Sequence, residues 1–144
     1  MSFENLFSGV NFANTIQKYC DAIGWKIADL NNQRALLRFN MESGRQQTLF
    51  ILRYESTIEF SVPSVAQFAS EKDIPHLLSS LLLQRNAERK VGFWCIEKIG
   101  DKWVYSCMHN AELQLIDKDY FATVVRSLIV ECDEFENILI KIMN

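Results

Sequence analysis

The stretch FWCIEKIGDKWVYSCM (Phe93–Met108) holds two strand-like runs around Gly100-Asp101. Glycine at the first central position suits a type II′ turn, whose twist matches that of the strands it joins. That turn fixes a register: Ile99 opposite Lys102, Lys98 opposite Trp103, Ile96 opposite Tyr105 and Trp94 opposite Cys107. Side chains alternate across a strand, so Trp94, Ile96, Tyr105 and Cys107 fall on one face. Phe93, Cys95, Glu97, Val104, Ser106 and Met108 fall on the other. Cys95 and Cys107 then point to opposite sides, and no cross-strand disulfide is expected. Both faces carry large apolar residues, although a strand in a two-layer domain needs only one dry face.

The same count works around Glu55-Ser56, a turn with weak hairpin chemistry. Leu49, Ile51, Ile58, Phe60 and Val62 share one face. Phe50, Leu52 and Tyr54 share the opposite face with Thr57, Glu59 and Ser61. Pro63 cannot donate to a ladder, and the spacing predicts that this strand ends there. VPSVAQFASEKDIP then reads as a connection.

Upstream, RALLRFN (Arg34–Asn40) and QTLFILRY (Gln47–Tyr54) read as strands, and WKIA as a short weak one. Helical spacing appears three times. Phe12, Ile16, Tyr19, Cys20 and Ile23 form a first stripe, continued upstream by Phe3, Leu6, Phe7 and Val10 across Ser8-Gly9, with Gly24 as its C-terminal stop. A second helix is expected after Asp73 as N-cap, with Pro75 in its first turn. Leu77, Leu78, Leu81 and Leu82 form its buried stripe, widened by Leu83. A third helix, capped by Asp117 or Asp119, repeats Phe121, Val124, Val125, Leu128, Cys132, Phe135, Leu139 and Ile142 at helical spacing. Its Glu131, Asp133, Glu134 and Glu136 read as the wet side.

The element order is α-β-β-β-β-α-β-β-α. Short connections pair neighbouring strands antiparallel, which predicts an α+β fold: one antiparallel sheet with three helices gathered on one face. Three one-striped helices can shelter one sheet face. A helix, or the loop around Phe68, could wrap the second. Otherwise that face is an apolar patch of the kind that marks a partner surface.

Residues 1–144 fit one α+β domain, large enough to hold a core without staples. The net charge of −3 argues against a nucleic-acid surface, which needs a concentrated basic footprint. The one dense basic cluster, Arg85, Arg89 and Lys90, reads as cations complementing the end of the second helix. The N-terminal MSFENLFSGV lacks the basic and long apolar regions of a signal peptide, and no apolar run approaches a membrane span. Four cysteines without a C-x-x-C spacing suggest free thiols in a reducing cytoplasm.

The search for chemistry yields no catalytic, cofactor-binding or metal-binding residue. His76 and His109 are the two histidines, and the spacing sets no nucleophile beside either. Cys20 and Cys132 lie on helix stripes and read as core. There is no metal-ligand spacing and no glycine-rich phosphate loop.

The segment LLLQRNAERKVGFWCIEKIGDKWVYSCMHNAELQLIDKDYFATVVRSLIVECDEFENIL (Leu81–Leu139) has a leucine-rich helix ending in L-x-x-N, Leu83-Gln84-Arg85-Asn86. A strand, a tight turn, a second strand and a long closing helix follow. This pattern resembles the YbjN-like family, bacterial proteins proposed to regulate sensory transduction, whose fold is similar to type III secretion chaperones. The resemblance implies a type III secretion chaperone-like fold and a non-enzymatic bacterial protein, often dimeric, that binds other polypeptides. Asn86 is the matching polar position and reads as structural, closing the second helix by local hydrogen bonds.

The expected function is therefore a cytoplasmic protein-interaction module, chaperone-like or regulatory, that binds a polypeptide or pairs as a homodimer. Its expected surface is the mixed sheet face: Phe93, Val104, Met108, Phe50, Leu52 and Tyr54. One alternative is a small-ligand domain with an apolar pocket lined by Trp94, Trp103 and Tyr105. Another is an enzyme using a Cys–His pair.

Overall fold

The structure, a computed structural model, describes residues 3–143, with side chains from residue 11 onward. Its elements follow the expected order: α1 (Phe3–Ile23), β1 (Ile27–Leu30), β2 (Arg34–Asn40), β3 (Gln46–Tyr54), β4 (Thr57–Phe68), α2 (His76–Glu88), β5 (Phe93–Ile99), β6 (Lys102–Glu112) and α3 (Lys118–Met143). The six strands form one antiparallel sheet in the order β1-β2-β3-β4-β6-β5. All three helices lie on one face. Phe12, Ile16 and Cys20 of α1, Leu82 of α2, and Phe121, Val124, Leu128 and Phe135 of α3 meet Leu37, Leu49, Ile51, Ile58, Phe60 and Tyr105 in one core. The opposite face has no helix over it.

Both hairpins keep the register read from sequence. Trp94 faces Cys107, Ile96 faces Tyr105 and Phe93 faces Met108; Phe50 faces Ser61 and Leu52 faces Glu59. Gly100 has φ of +61° and no positive φ follows at Asp101, the pattern of a type II′ turn. Glu55 takes φ of +57° in the weaker turn, where the Arg53 guanidinium donates to the Glu55 carbonyl at 3.2 Å. All four cysteines are free thiols.

The sequence reading fails in three places. First, β4 does not stop at Pro63. It continues to Phe68 through a register shift between Pro63 and Gln67, a bulge that accommodates the missing N–H. Phe68 packs edge-on against Tyr105, whose ring faces the helices, so this segment does not wrap the second face.

Second, the acidic run of α3 is not its wet side. Glu131, Asp133 and Glu136 are buried, and only Glu134 is exposed. The bulge explains part of this. Val65 N–H donates to Glu136 Oε2 at 2.8 Å, while Gln47 Nε2 donates to Glu136 Oε1 at 2.6 Å and to Asp133 Oδ1 at 3.0 Å. Ser43 and Arg45 complete the set on Asp133. A carboxylate reaching from a helix to an unpaired strand amide is buried because it is hydrogen-bonded.

Third, the leucine stripe of α2 is mostly outside. Leu82 is its one buried residue, while Leu77 is 82 % and Leu83 67 % exposed. Asp73 does not cap α2 either. It belongs to a short 3-10 turn capped by Ser70, and Pro75 holds the N-cap position of α2. Asp117 does cap α3, accepting from Tyr120 N–H at 2.8 Å.

Candidate interaction surfaces

Helix α2 is fastened by polar groups instead of an apolar stripe. At its start, the Tyr105 hydroxyl lies 2.6 Å from Ser79 Oγ and 3.3 Å from the Pro75 carbonyl. At its end, the Asn86 side chain pairs with the main chain of Trp94, accepting from the N–H at 2.6 Å and donating to the carbonyl at 3.0 Å. Asn86 thus takes the place of a neighbouring strand on the outer edge of β5. Its local closing role also holds, through Arg89 N–H on the Asn86 carbonyl.

The buried Glu131 forms the third fastening. Arg85 clasps it through Nε at 3.0 Å and through a second contact from Nη2. Arg89 lies 3.2 Å away, and Trp94 Nε1 donates at 2.8 Å. Burial pushes this carboxyl up, but the hydrogen bonds from Arg85 and Trp94 and the two guanidiniums outweigh it and hold the group below its ordinary range. The basic cluster expected to complement a helix end is therefore, in Arg85 and Arg89, a buried ion-pair site joining α2, α3 and β5.

These fastenings leave the leucines of α2 beside an open strand edge. Hydrogen-bonding groups alternate along a strand. Since Trp94 points its N–H and carbonyl outward to Asn86, Ile96 and Lys98 present theirs to the same free edge. Ile96 is exposed, as are Leu77, Leu81 and Leu83. Between α2 and β5 lies an apolar recess of about 120 Å³, lined by Ser79, Leu82, Leu83, Trp94, Cys95, Ile96 and Tyr105. It is smaller than the roughly 300 Å³ at which small-molecule sites begin. Trp94 and Tyr105 line it as expected of an apolar pocket. Trp103 does not, and lies under the Lys98 ammonium instead.

The six residues expected to form an interaction surface all lie on the open sheet face, two of them buried at its centre. Phe93, Phe50 and Leu52 are half-buried and Tyr54 is exposed. Val104 is 2 % and Met108 8 % exposed, so neither is available to a partner without rearrangement. They lie on β6, inside the sheet: Val104 sits between the longer Gln67 and Glu97, and Met108 between Ser61 and the Phe93 ring. The Glu97 side chain leans over β6 and β4, accepting from Ser106 Oγ at 2.6 Å and Ser61 Oγ at 3.1 Å. Past the Phe50–Ser61 pair, β3 and β4 part around the bulge, leaving a cleft of about 440 Å³ that includes Thr48, Pro63, Ser64 and Gln67.

The geometry offers no Cys–His pair. His109 Nδ1 accepts from Gly92 N–H at 3.1 Å and its Nε2 faces the Tyr120 hydroxyl at 2.8 Å. His76 is exposed at the start of α2. Burial pushes the Cys20, Cys95 and Cys107 thiols up to about 12, and Cys132 higher still, which keeps them un-ionised and poor nucleophiles. Among the described residues no cluster of histidine, cysteine and carboxylate is arranged for a metal ion, and no helix is long and apolar enough to cross a membrane.

The fold is α+β of the type III secretion chaperone kind, a six-stranded antiparallel sheet backed on one side by three helices. Two solved structures share it. YbjN from E. coli, proposed to be a transcription regulator, aligns over 83 % of this chain and 84 % of its own, with 16 % identity and a TM-score of 0.57. A chain of the HopA1–SchA chaperone–effector complex aligns over 89 % of this chain and 94 % of its own, with 7 % identity and a TM-score of 0.62. No family model matches the sequence, and no curated protein matches it.

Proposed function

We propose that this chain is a non-enzymatic, chaperone-like polypeptide-binding module of the bacterial cytoplasm that works as a homodimer. The observation that carries this reading is the apolar surface its own helices leave uncovered, in two places. One is the α2–β5 corner, where exposed leucines flank a free strand edge. The other is the helix-free sheet face. Likeness of fold to a chain of a chaperone–effector complex supports a polypeptide as the occupant.

The two surfaces suit different tasks. A free edge strand pairs readily with its own copy about a two-fold axis, because the antiparallel ladder is self-complementary. Ile96 and Lys98 supply the open rungs, and Leu83 and the recess beside it would bury against the partner copy. Around Glu59 and Ser61 the sheet face has no free rungs, since β4 is there paired with both β3 and β6. It suits a segment that packs through side chains.

Light scattering coupled to size exclusion tests the first part. The wild type is expected to run as a dimer, and Leu83→Glu and Ile96→Lys as folded monomers; a monomeric wild type overturns it. Affinity capture from native extract, run side by side with Phe93→Glu, tests the second. A polypeptide retained by wild type and lost from the variant is the expected result, and identical captures overturn the assignment of that face.

A further inference from the structure

Two half-buried carboxylates on the open sheet face, Glu59 and Glu97, are neutralised by nothing in the described chain. Glu97 accepts hydrogen bonds only from the hydroxyls of Ser61 and Ser106. Glu59 on β4 has no hydrogen-bond or ion-pair partner among the described residues, although it is half-buried. Burial, with Glu97 close enough to repel it, pushes the Glu59 carboxyl above its ordinary range. The contrast with the helix side is sharp: Glu131 has two guanidiniums, and Asp133 and Glu136 have Arg45.

Apolar residues lie beside this pair among polar ones, Asn110 flanking Glu59 on β6. Leu52 stands opposite Glu59 in the ladder, and the next row across the sheet runs Phe50, Ser61, Met108, Phe93. A wholly apolar partner laid here would bury two carboxylates without counter-charge, which is strongly unfavourable. An acidic one would add repulsion. A partner bringing one cation relieves the strain the face already carries.

We propose that the open face takes an amphipathic helical segment whose apolar stripe is interrupted by one arginine or lysine, seated between Glu59 and Glu97. Its flanking apolar side chains rest on Phe50, Leu52 and Phe93. A helix suits the site because β4 is paired on both sides from Thr57 to Ser61, where Glu59 lies, and helix-on-sheet is how the opposite face of this molecule is covered. This rests on the reading of the face as a polypeptide-binding surface, and specifies what that polypeptide must carry.

The probe is a fluorescent leucine-rich helical peptide with a single arginine in its apolar stripe, compared with a twin holding uncharged citrulline there. Anisotropy titration of the wild type is expected to show the arginine peptide binding about ten-fold tighter, in line with a desolvated charge pair. In the double variant Glu59→Gln, Glu97→Gln the citrulline peptide is expected to bind as before and the arginine advantage to vanish. The carboxamide at position 97 still accepts from the Ser61 and Ser106 hydroxyls, and Glu59 has no hydrogen bond to lose, so an unchanged or raised melting temperature confirms the variant's fold. Equal binding of the two peptides by wild type overturns the proposal while leaving the polypeptide-binding reading intact. An arginine advantage that survives in the double variant also overturns it. Failure of both peptides to bind overturns it as well, and the capture experiment with Phe93→Glu then decides the broader reading separately.

Discussion

Single side chains hold the helices to the sheet, and their loss should be measurable one at a time. Glu131 is 2 % exposed and joined to Arg85, Arg89 and Trp94. Glu131→Gln leaves two guanidiniums without their counter-ion and should cost about 3–5 kcal/mol in urea unfolding, the range for breaking a buried pair. His109 gives a pH signature. Its Nδ1 accepts from Gly92 N–H, so protonation there would set two N–H groups against each other, and burial holds its pKa below 6.5. A depressed folded-state pKa means the native protein binds this proton less readily than the unfolded chain. The contribution of His109 to stability is thus complete above the unfolded value and is lost as pH falls through it. The melting temperature should fall as pH drops below about 6.5, and His109→Gln should flatten that part of the profile. Glu55 is the one non-glycine described with positive φ; Glu55→Gly should raise stability by about 1 kcal/mol, read from the urea midpoint.

At the scale of the elements, the strands were legible in the sequence and the burial of the helices was only half so. Hairpin registers followed from alternation and two turn positions, because a one-residue slip would exchange the faces. The first helix buries Phe12, Ile16 and Cys20 of its stripe, its Phe3, Leu6, Phe7 and Val10 lying outside the described side chains, and the third buries its stripe from Phe121 to Phe135 but leaves Ile142 exposed. Helix α2 does not bury its stripe, because a run of leucines fixes which residues can be buried and not how many the neighbouring sheet can accept. The polar groups that orient α2 come from Tyr105 and Glu131, distant in the chain, and from the main chain of Trp94 on the following strand, and periodicity carries no trace of them. The acidic run of α3 was misread for the same reason, since its partners are Gln47, Arg45 and the Val65 amide. The L-x-x-N ending did point to Asn86, but not to its pairing with Trp94. Asn86→Ala should cost about 1–2 kcal/mol for the two lost hydrogen bonds, with faster amide exchange at Trp94.

For the whole molecule, the question is which greasy surface is spare. The sequence located one such surface, the mixed sheet face, but overestimated how much of it is free. Val104 belongs to the surface expected from the sequence, which would make it open to a glutamate substitution. At 2 % exposure, with Glu97 opposite it, Val104→Glu should instead destabilise the chain by at least about 3 kcal/mol, measured by thermal or urea unfolding. Phe93→Glu, at a half-buried rim position, is the substitution that should spare the fold. The α2–β5 corner is not legible in the sequence, because helical spacing places its leucines in the core and no pattern of apolar residues alone distinguishes an inner stripe from an outer one.

The amide of Asn86 has a further effect at the margin of the sheet. By occupying Trp94 it acts as a stopper, and the rest of β5 before the Gly100 turn leaves only Ile96 and Lys98 to be zipped. A joining strand can therefore be only a few residues long and has one alignment. A border closed at both ends admits a single matching guest and refuses the indefinite stacking that leads to fibres.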